Sequence, residues 1–171
     1  MSEKRIFESL DKSIHDRNGF DCGVSILNEF LQTKANKEMK QKLNTTYVYT
    51  QNSTEGLKSI FGYYTLSTSS LILSEIPESL TKHVPKNYQL PTAKIGRLAR
   101  DKNYPGTGSI LLKDALHRII KISSDMGIYG VEVDAKDQAA KTFYEKFGFI
   151  PFIDDAYSLF IPLKTVLRAL D

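Results

Sequence analysis

The sequence predicts an α/β fold in one domain, on three observations. Strand-like runs with two-residue alternation are interleaved with stretches whose apolar residues recur every three or four positions. The chain has 171 residues, 41% hydrophobic and 25% charged, an ordinary globular composition that excludes a disordered or fibrous chain. A domain of this length buries roughly two-thirds of its unfolded surface without help from disulfides or metals. The single cysteine, Cys22, excludes an internal disulfide framework and a multi-cysteine zinc site, and fits a reducing, cytoplasmic setting with no metal. No run approaches the ~18 apolar residues of a membrane span, and Met1-Ser2-Glu3-Lys4-Arg5 leads into no export signal. The net charge of +3 suits an anionic partner but lacks the footprint of a dedicated nucleic-acid binder.

Residues 4–10 read as a short strand. Phe20-Asp21-Cys22-Gly23 opens a helix that runs to about Lys40, with Asp21 as its N-cap. Val24, Leu27, Phe30 and Leu31 form its buried stripe, while Asn28, Lys34 and Lys37 face away. Lys34, Lys37, Lys40 and Lys42 crowd its end, either as a solvated terminus that complements the dipole or as a patch for phosphates. Residues 45–50 and 57–70 form a hairpin around Gln51-Asn52-Ser53-Thr54-Glu55-Gly56. The second of these strands has apolar residues in both alternating sets, so it lies deep in a sheet covered on both faces.

Pro77, Pro85 and Asn87-Tyr88 reduce residues 74–90 to a short helix flanked by loops. Residues 92–100 then read as a strand, 101–105 as a loop and 106–126 as a long amphipathic helix. Its apolar side is Ile110, Leu111, Ala115, Leu116, Ile119 and Ile122, with Gly127 as its C′ residue. A strand at 129–133, a helix at 137–147 ended by Gly148, strands at 149–152 and 157–163, and a helical turn or two at 164–170 complete the chain. No repeat, low-complexity tract or linker divides it, so residues 1–171 form one domain.

The turn Tyr104-Pro105-Gly106-Thr107-Gly108-Ser109 joins a strand to the start of a helix, where free amides and the dipole favour an anion. No Lys-Ser or Lys-Thr pair follows the glycines, so a Walker-type loop is not supported. A lone Gly-x-Gly before a helix is structural as readily as functional.

With its neighbours, this turn resembles a known signature. Asn103-Tyr104-Pro105-Gly106-Thr107-Gly108 is similar to the Arg/Gln-x-x-Gly-x-Gly/Ala pyrophosphate loop of the GNAT N-acetyltransferases, with Asn103 in place of the usual Arg or Gln. Further on, Tyr144-Glu145-Lys146-Phe147-Gly148-Phe149 resembles that family's second signature, at the end of a helix that begins after Asp137. A narrower resemblance is to the tRNA-acetylating toxins of type II toxin–antitoxin modules, carried by Phe20-Asp21-Cys22-Gly23, Gly62-Tyr63-Tyr64-Thr65-Leu66, Gly96-Arg97-Leu98-Ala99 and Ala139-Ala140-Lys141-Thr142-Phe143-Tyr144. It spans roughly residues 20–163.

The resemblance implies a GNAT fold: a mixed, mostly antiparallel twisted sheet of six to seven strands flanked by helices. It implies acetyl-CoA as cofactor, held by Leu98, Ala99, Arg100, Asn103, Gly106, Thr107, Gly108, Ser109, Asp137, Lys141 and Tyr144. Tyr144 takes the place of the general acid for the departing thiolate, although a helix aromatic packed beside Phe143 and Phe147 is the alternative. The amide of Leu98 or Ala99 would meet the oxyanion. Arg97 either engages the acceptor or knits the site through an ion pair, and Asp137 either approaches the cofactor or simply caps its helix.

Lys94-Ile95-Gly96-Arg97-Leu98-Ala99-Arg100 offers no carboxylate as general base. An α-amine, with a pKa of about 7.7–8.0, needs such a base far less than a lysine at ~10.4, which favours aminoacyl-tRNA as acceptor with water taking the proton. Lys34, Lys37, Arg97, Lys113 and His117 are the candidates for contact with tRNA. His15, His83 and His117 all read as solvated, and Cys22 as a small residue near a helix start. The resemblance further implies a homodimer and a ribbon-helix-helix antitoxin that binds operator DNA. The competing functions are a GNAT enzyme for a small-molecule or protein amine, and a non-catalytic CoA-binding module.

Overall fold

The computed structural model describes residues 4–85 and 88–170. Its elements are β1 (Arg5–Ser9), β2 (His15–Asp16), α1 (Ser25–Glu29), a π-helical turn (Phe30–Lys34), α2 (Ala35–Lys40), β3 (Thr45–Gln51), β4 (Lys58–Leu71), β5 (Leu90–Arg100), α3 (Thr107–Ser123), β6 (Gly130–Asp134), α4 (Gln138–Lys146), β7 (Ile150–Pro151), β8 (Ser158–Pro162) and α5 (Leu163–Leu170). Among the described residues the strands are ordered β1-β3-β4-β5-β6-β8-β7, with β2 beside β4. The total of eight exceeds the six to seven expected because the two-residue strands β2 and β7 join the sheet. The pairs β1–β3, β3–β4, β6–β8 and β7–β8 are antiparallel, and β2–β4 and β5–β6 are parallel. A parallel pair needs a crossover, and α3 supplies the one between β5 and β6. No helix among the described residues is long and apolar enough to cross a membrane.

The chain divides into two compact units. The first takes the residues up to Ser67 and Gly96–Ala115. Its core gathers Leu10, Phe20, Phe30, Leu31, Ala35, Val48, Ile60, Tyr63 and Ala99. Ile60 to Leu66 of β4 are all buried, as the two apolar sets of that strand predict. Gly62 lets α3 lie close to β4, since a Cβ there would stand 2.8 Å from Leu111 Cδ1 and 3.1 Å from the Ala99 carbonyl oxygen. The second unit takes Thr68–Ile95 and everything from Leu116 onward. One of its cores packs Leu71, Ile76, Leu90 and Phe160, with Tyr129 stacked on Phe160 and donating from its hydroxyl to the Leu80 carbonyl at 2.5 Å.

Several sequence-based expectations change. The helix expected from Phe20 to Lys40 starts at Ser25, and its N-cap is Val24 rather than Asp21. Asp21 instead closes a tight turn, accepting from the Gly23 N–H at 2.8 Å. Asn28 is half-buried and faces inward, its amide donating to Asp21 and accepting from the Cys22 N–H. Mid-way, one π-helical turn interrupts the α-helix, and Arg17 donates to the Gln32 carbonyl within it at 2.9 Å. The short helix expected in 74–90 is two 3₁₀ turns, Leu73–Glu75 and Glu78–Leu80, and Lys86 and Asn87 of that stretch lie outside the described residues. On α3, Ile110 and Ile122 are exposed and Leu112 is buried in their place. Gly127 is not left-handed, because α3 already ends at Ser123, where the hydroxyls of Ser123 and Ser124 turn back to the carbonyls of Ile120 and Lys121. Gly148 does end α4 in the left-handed region, with φ 97°.

His15 is the largest correction, being buried rather than solvated. The Asp11 N–H donates to its Nδ1 at 2.9 Å, so Nε2 carries the hydrogen and donates to Glu8 at 2.7 Å. Glu8 also accepts from Lys58 Nζ at 2.9 Å. His83 and His117 are exposed as expected.

Candidate active site

Strand β5 is paired with β6 from Thr92 to Ile95, and there the register ends. Leu98 and Ala99 lie beyond that last pair, where a strand edge can present N–H groups to a ligand oxygen. Ala99 is buried and Leu98 half-buried. Arg97, just before them, lays its guanidinium 3.6 Å above the ring of Phe30, so it is a stacked cation that makes no ion pair among the described residues. Phe30 in turn stacks on Tyr63, whose hydroxyl donates to the Leu27 carbonyl at 2.7 Å.

Asp101 ends the strand and shapes the loop. Its N–H donates to the Phe61 carbonyl at 2.9 Å, and its own carbonyl accepts from the Tyr104 N–H at 3.1 Å. Its buried carboxylate accepts from the N–H groups of Asn103 and Asp21. Tyr104 packs edge-on against Phe61 at 4.6 Å, and the Arg5 guanidinium lies over both rings. Gly106 has φ 85°, a left-handed angle that strains any residue with a Cβ. Nothing lies within 4 Å of where that Cβ would be, so glycine is required here by the backbone, and the space above stays open.

Helix α3 then begins at buried Thr107, whose N–H makes only a long 3.4 Å bond to the Tyr104 carbonyl. Gly108 and Ser109 complete the first turn, with the Ser109 hydroxyl donating to the Gly106 carbonyl at 3.2 Å. That turn has no acidic residue, so the positive end of the helix dipole is not countered from within the helix. Asn103 and Arg100 are exposed. The Asn103 N–H is committed to Asp101, and Arg100 reaches the Asp101 carbonyl at 3.4 Å.

The second unit holds the other expected residues. Asp137 caps α4, its carboxylate accepting from the Ala140 N–H at 2.8 Å, so the capping alternative holds for it. Lys141 is half-buried, with its ammonium 5.9 Å from the Tyr157 ring centroid. Tyr144 is 6% exposed and meets Phe143 and Phe149 edge-on. Burial, with the negative charge of Asp134 adding to it, pushes its phenol well above the usual range. Among the described residues its hydroxyl has no hydrogen-bond partner, and it is not one of the fully enclosed polar atoms left without one, so the ring is buried while the hydroxyl stays open to a ligand. Lys34, Lys37, Lys113 and His117 are exposed and make no ion pair among the described residues.

The stretch from Arg97 to Ser109 thus gathers most of the expected cofactor residues in one unit, and Asp137, Lys141 and Tyr144 gather on α4 and its cap in the other. Sequence reasoning missed Asp101 and the stacking of Arg97 on Phe30. The Asp-x-Asn pattern directly after a strand, which favours a side-chain-closed turn, was the available signal for Asp101. A ring beneath Arg97 left no such trace.

The mixed sheet with its α3 crossover, and a strand that ends in a glycine turn at an unneutralised helix start, are those of the GNAT class of acetyl-CoA-dependent acetyltransferases. No protein-family model matches the chain. It is 31% identical over 172 residues to the protein described as "Probable toxin TacT" from Sinorhizobium fredii, covering 95% of this chain and 93% of that one. Among solved structures, AtaT complexed with acetyl-methionyl-tRNAfMet matches with a TM-score of 0.89 and 31% identity, over 98% of this chain and 100% of that one. A Tyr→Phe mutant of AtaT bound to the C-terminus of the antitoxin AtaR and acetyl-CoA matches with a TM-score of 0.81 and 29% identity, over 97% and 98% of the two chains. The chain belongs to the family of tRNA-acetylating toxins of toxin–antitoxin modules.

Proposed function

We propose that this chain, working as one domain over residues 1–171, moves the acetyl group of acetyl-CoA onto the α-amine of an aminoacyl-tRNA in the cytoplasm and so blocks translation. The observation that carries the reading is Tyr144, a buried phenol whose hydroxyl has no partner among the described residues. A hydroxyl with no protein partner is available to donate its hydrogen bond to a ligand.

The residues fit the cofactor. The amides of residues 106–109, at a helix start with no acid of its own, suit a diphosphate. The exposed side chain of Asn103 lacks the charge of an Arg and the reach of a Gln at that position, so the backbone carries most of that grip. Acetyl-CoA supplies the thioester; the chain's residues supply donors and positions. The Leu98 or Ala99 N–H stabilises the carbonyl oxygen as the acceptor nitrogen adds to the carbon. The C–N bond forms, the C–S bond breaks, and the amine proton passes to water. Tyr144 stays protonated across the physiological range because its phenol is raised. Full proton transfer from such a phenol to a thiolate near ~8.5 is uphill, so its role is to donate a hydrogen bond to the departing sulfur.

The absence of a carboxylate in Lys94-Ile95-Gly96-Arg97-Leu98-Ala99-Arg100 supports an α-amine over a lysine as acceptor. Lys34, Lys37, Lys113, His117 and the stacked Arg97 are the proposed contacts to tRNA. A homodimer and a ribbon-helix-helix antitoxin bound to operator DNA complete the proposal. The test offers radiolabelled acetyl-CoA separately to charged tRNA, polyamines and peptides. Label on the amino acid of charged tRNA is the expected result. Label on a polyamine or peptide but not on tRNA, or no transfer to any of them, overturns the proposal.

A further inference from the structure

Two segments remote in sequence are laced together within the first unit. The Asp21 N–H donates to Asp101 Oδ2 at 3.0 Å, and the Lys102 N–H donates to the Asp21 carbonyl at 2.9 Å. Lys102 Nζ stands 2.9 Å from Asp21 Oδ2. On the loop side, Asp101 Oδ1 accepts from the Asn103 N–H at 2.9 Å. On the helix side, Asp21 Oδ1 accepts from Gly23 and from Asn28 of α1, and Asn28 Oδ1 accepts from the Cys22 N–H at 2.9 Å. The connection from Asn103 to α1 is therefore an unbroken series of hydrogen bonds, several of them to carboxylates and correspondingly strong. Hydrogen bonds from Lys102, Asn28 and the Gly23 N–H hold the Asp21 carboxyl well below the usual range.

Asp101 is the member that cannot yield. It is buried, and both carboxylate oxygens, its N–H and its carbonyl are all committed. Any shift of residues 101–104 that opened one of these bonds would leave a buried carboxylate or two N–H groups short of a partner. Beyond α1, the π-helical turn brings Phe30 under Arg97, so the helical segment meets β5 and its loop a second time.

We propose that Asp101 is a positioning residue of the cofactor loop, and that through Asp21 it couples occupancy of residues 106–109 to the segment leading into α1. The proposal rests on the cofactor site described above and adds a function for Phe20-Asp21-Cys22-Gly23, which otherwise has none. Because coupling is reciprocal, whatever factor CoA adds to the affinity of a ligand at that segment, the ligand adds to the affinity for CoA.

The test uses the full chain and CoA itself, read by calorimetry and by amide hydrogen exchange. In the parent, CoA should slow exchange both in peptides covering 101–109 and in peptides covering 21–28. Asp101→Asn, which turns an NH₂ toward one of the two N–H donors, should raise the Kd for CoA about tenfold and abolish the effect at 21–28, with kcat at saturating acetyl-CoA within about twofold of the parent. Asp21→Ala keeps the two main-chain bonds at residue 21 but removes the carboxylate that holds Gly23 and Asn28, so it should keep the protection at 101–109 and lose it at 23–28, and it tests the coupling should Asp101→Asn not fold. Lys102→Ala should behave as the parent, since its ion pair is exposed. Unchanged exchange at 21–28 when the parent binds CoA, or parent-like CoA affinity in folded Asp101→Asn, overturns the proposal. A parent that binds no CoA at all overturns the cofactor site itself, which is a distinguishable failure.

Discussion

Tyr144→Phe should separate stability from activity. The phenylalanine ring keeps the edge-on contacts with Phe143 and Phe149, and the lost hydroxyl gives up no hydrogen bond to a described residue. Removing a hydroxyl that has no protein partner leaves folding stability within about 1 kcal/mol of the parent's. In catalysis the same hydroxyl is the donor to the leaving sulfur, and loss of such a group slows the chemical step roughly 10²- to 10⁴-fold, or about 2.7–5.4 kcal/mol of barrier. Urea unfolding gives the first quantity, and single-turnover acetyl transfer to charged tRNA gives the second. A variant as stable as the parent that still transfers acetyl at the parent rate would show that Tyr144 is a packing aromatic. The parent should also show no loss of rate from phenol ionisation at any pH up to about 9, because burial raises that group above its ordinary value near ~10.

Gly106→Ala should cost about 1–2 kcal/mol through its φ of 85° and weaken CoA binding without loss of fold, as measured by calorimetry beside a thermal melt; parent-like binding would detach the turn from the cofactor. Gly130→Ala should destabilise by about 2–3 kcal/mol, since its Cβ would stand 2.2 Å from the ring of fully buried Phe160 and 2.6 Å from the Ile161 carbonyl oxygen, and an unchanged unfolding midpoint would contradict that packing. Burial acts to raise the Glu8 carboxyl, but hydrogen bonds from Lys58 and His15 outweigh it and hold it below its usual range. A group lowered in the folded state stabilises above its unfolded pKa of about 4.3 and loses that contribution as pH falls through the lower folded value. Glu8→Gln should therefore flatten the acid limb of stability below about pH 4.5, and an acid limb identical to the parent's would refute the role of this cluster.

Those positions also show what the sequence made legible. Strand β4 was readable because both of its alternating sets are apolar, and α4 because an Asp caps it and a glycine ends it, each signal being local to its element. The turn at residues 104–109 was readable for the same reason. His15 was not, since its burial depends on Glu8 and Lys58 arriving from two other strands, and a histidine between Ile14 and Asp16 carries no mark of that. Asp21 had the right residue type for an N-cap, yet the pairing of its segment with residues 101–103 outcompeted capping and moved the helix start to Ser25. A π-helical turn adds one residue to a helix without changing its composition, so the apolar stripe alone cannot reveal it. Ile110 and Ile122 matched the period of α3 but sit on the margins of its apolar face, where the angular position decides exposure.

The most direct test is a crystal structure of the chain with CoA. The diphosphate should lie against the amides at residues 106–109, within hydrogen-bond distance of the start of α3. A diphosphate seated elsewhere, or crystals that take up no CoA at saturating concentration, would contradict the assignment of that turn as the cofactor site.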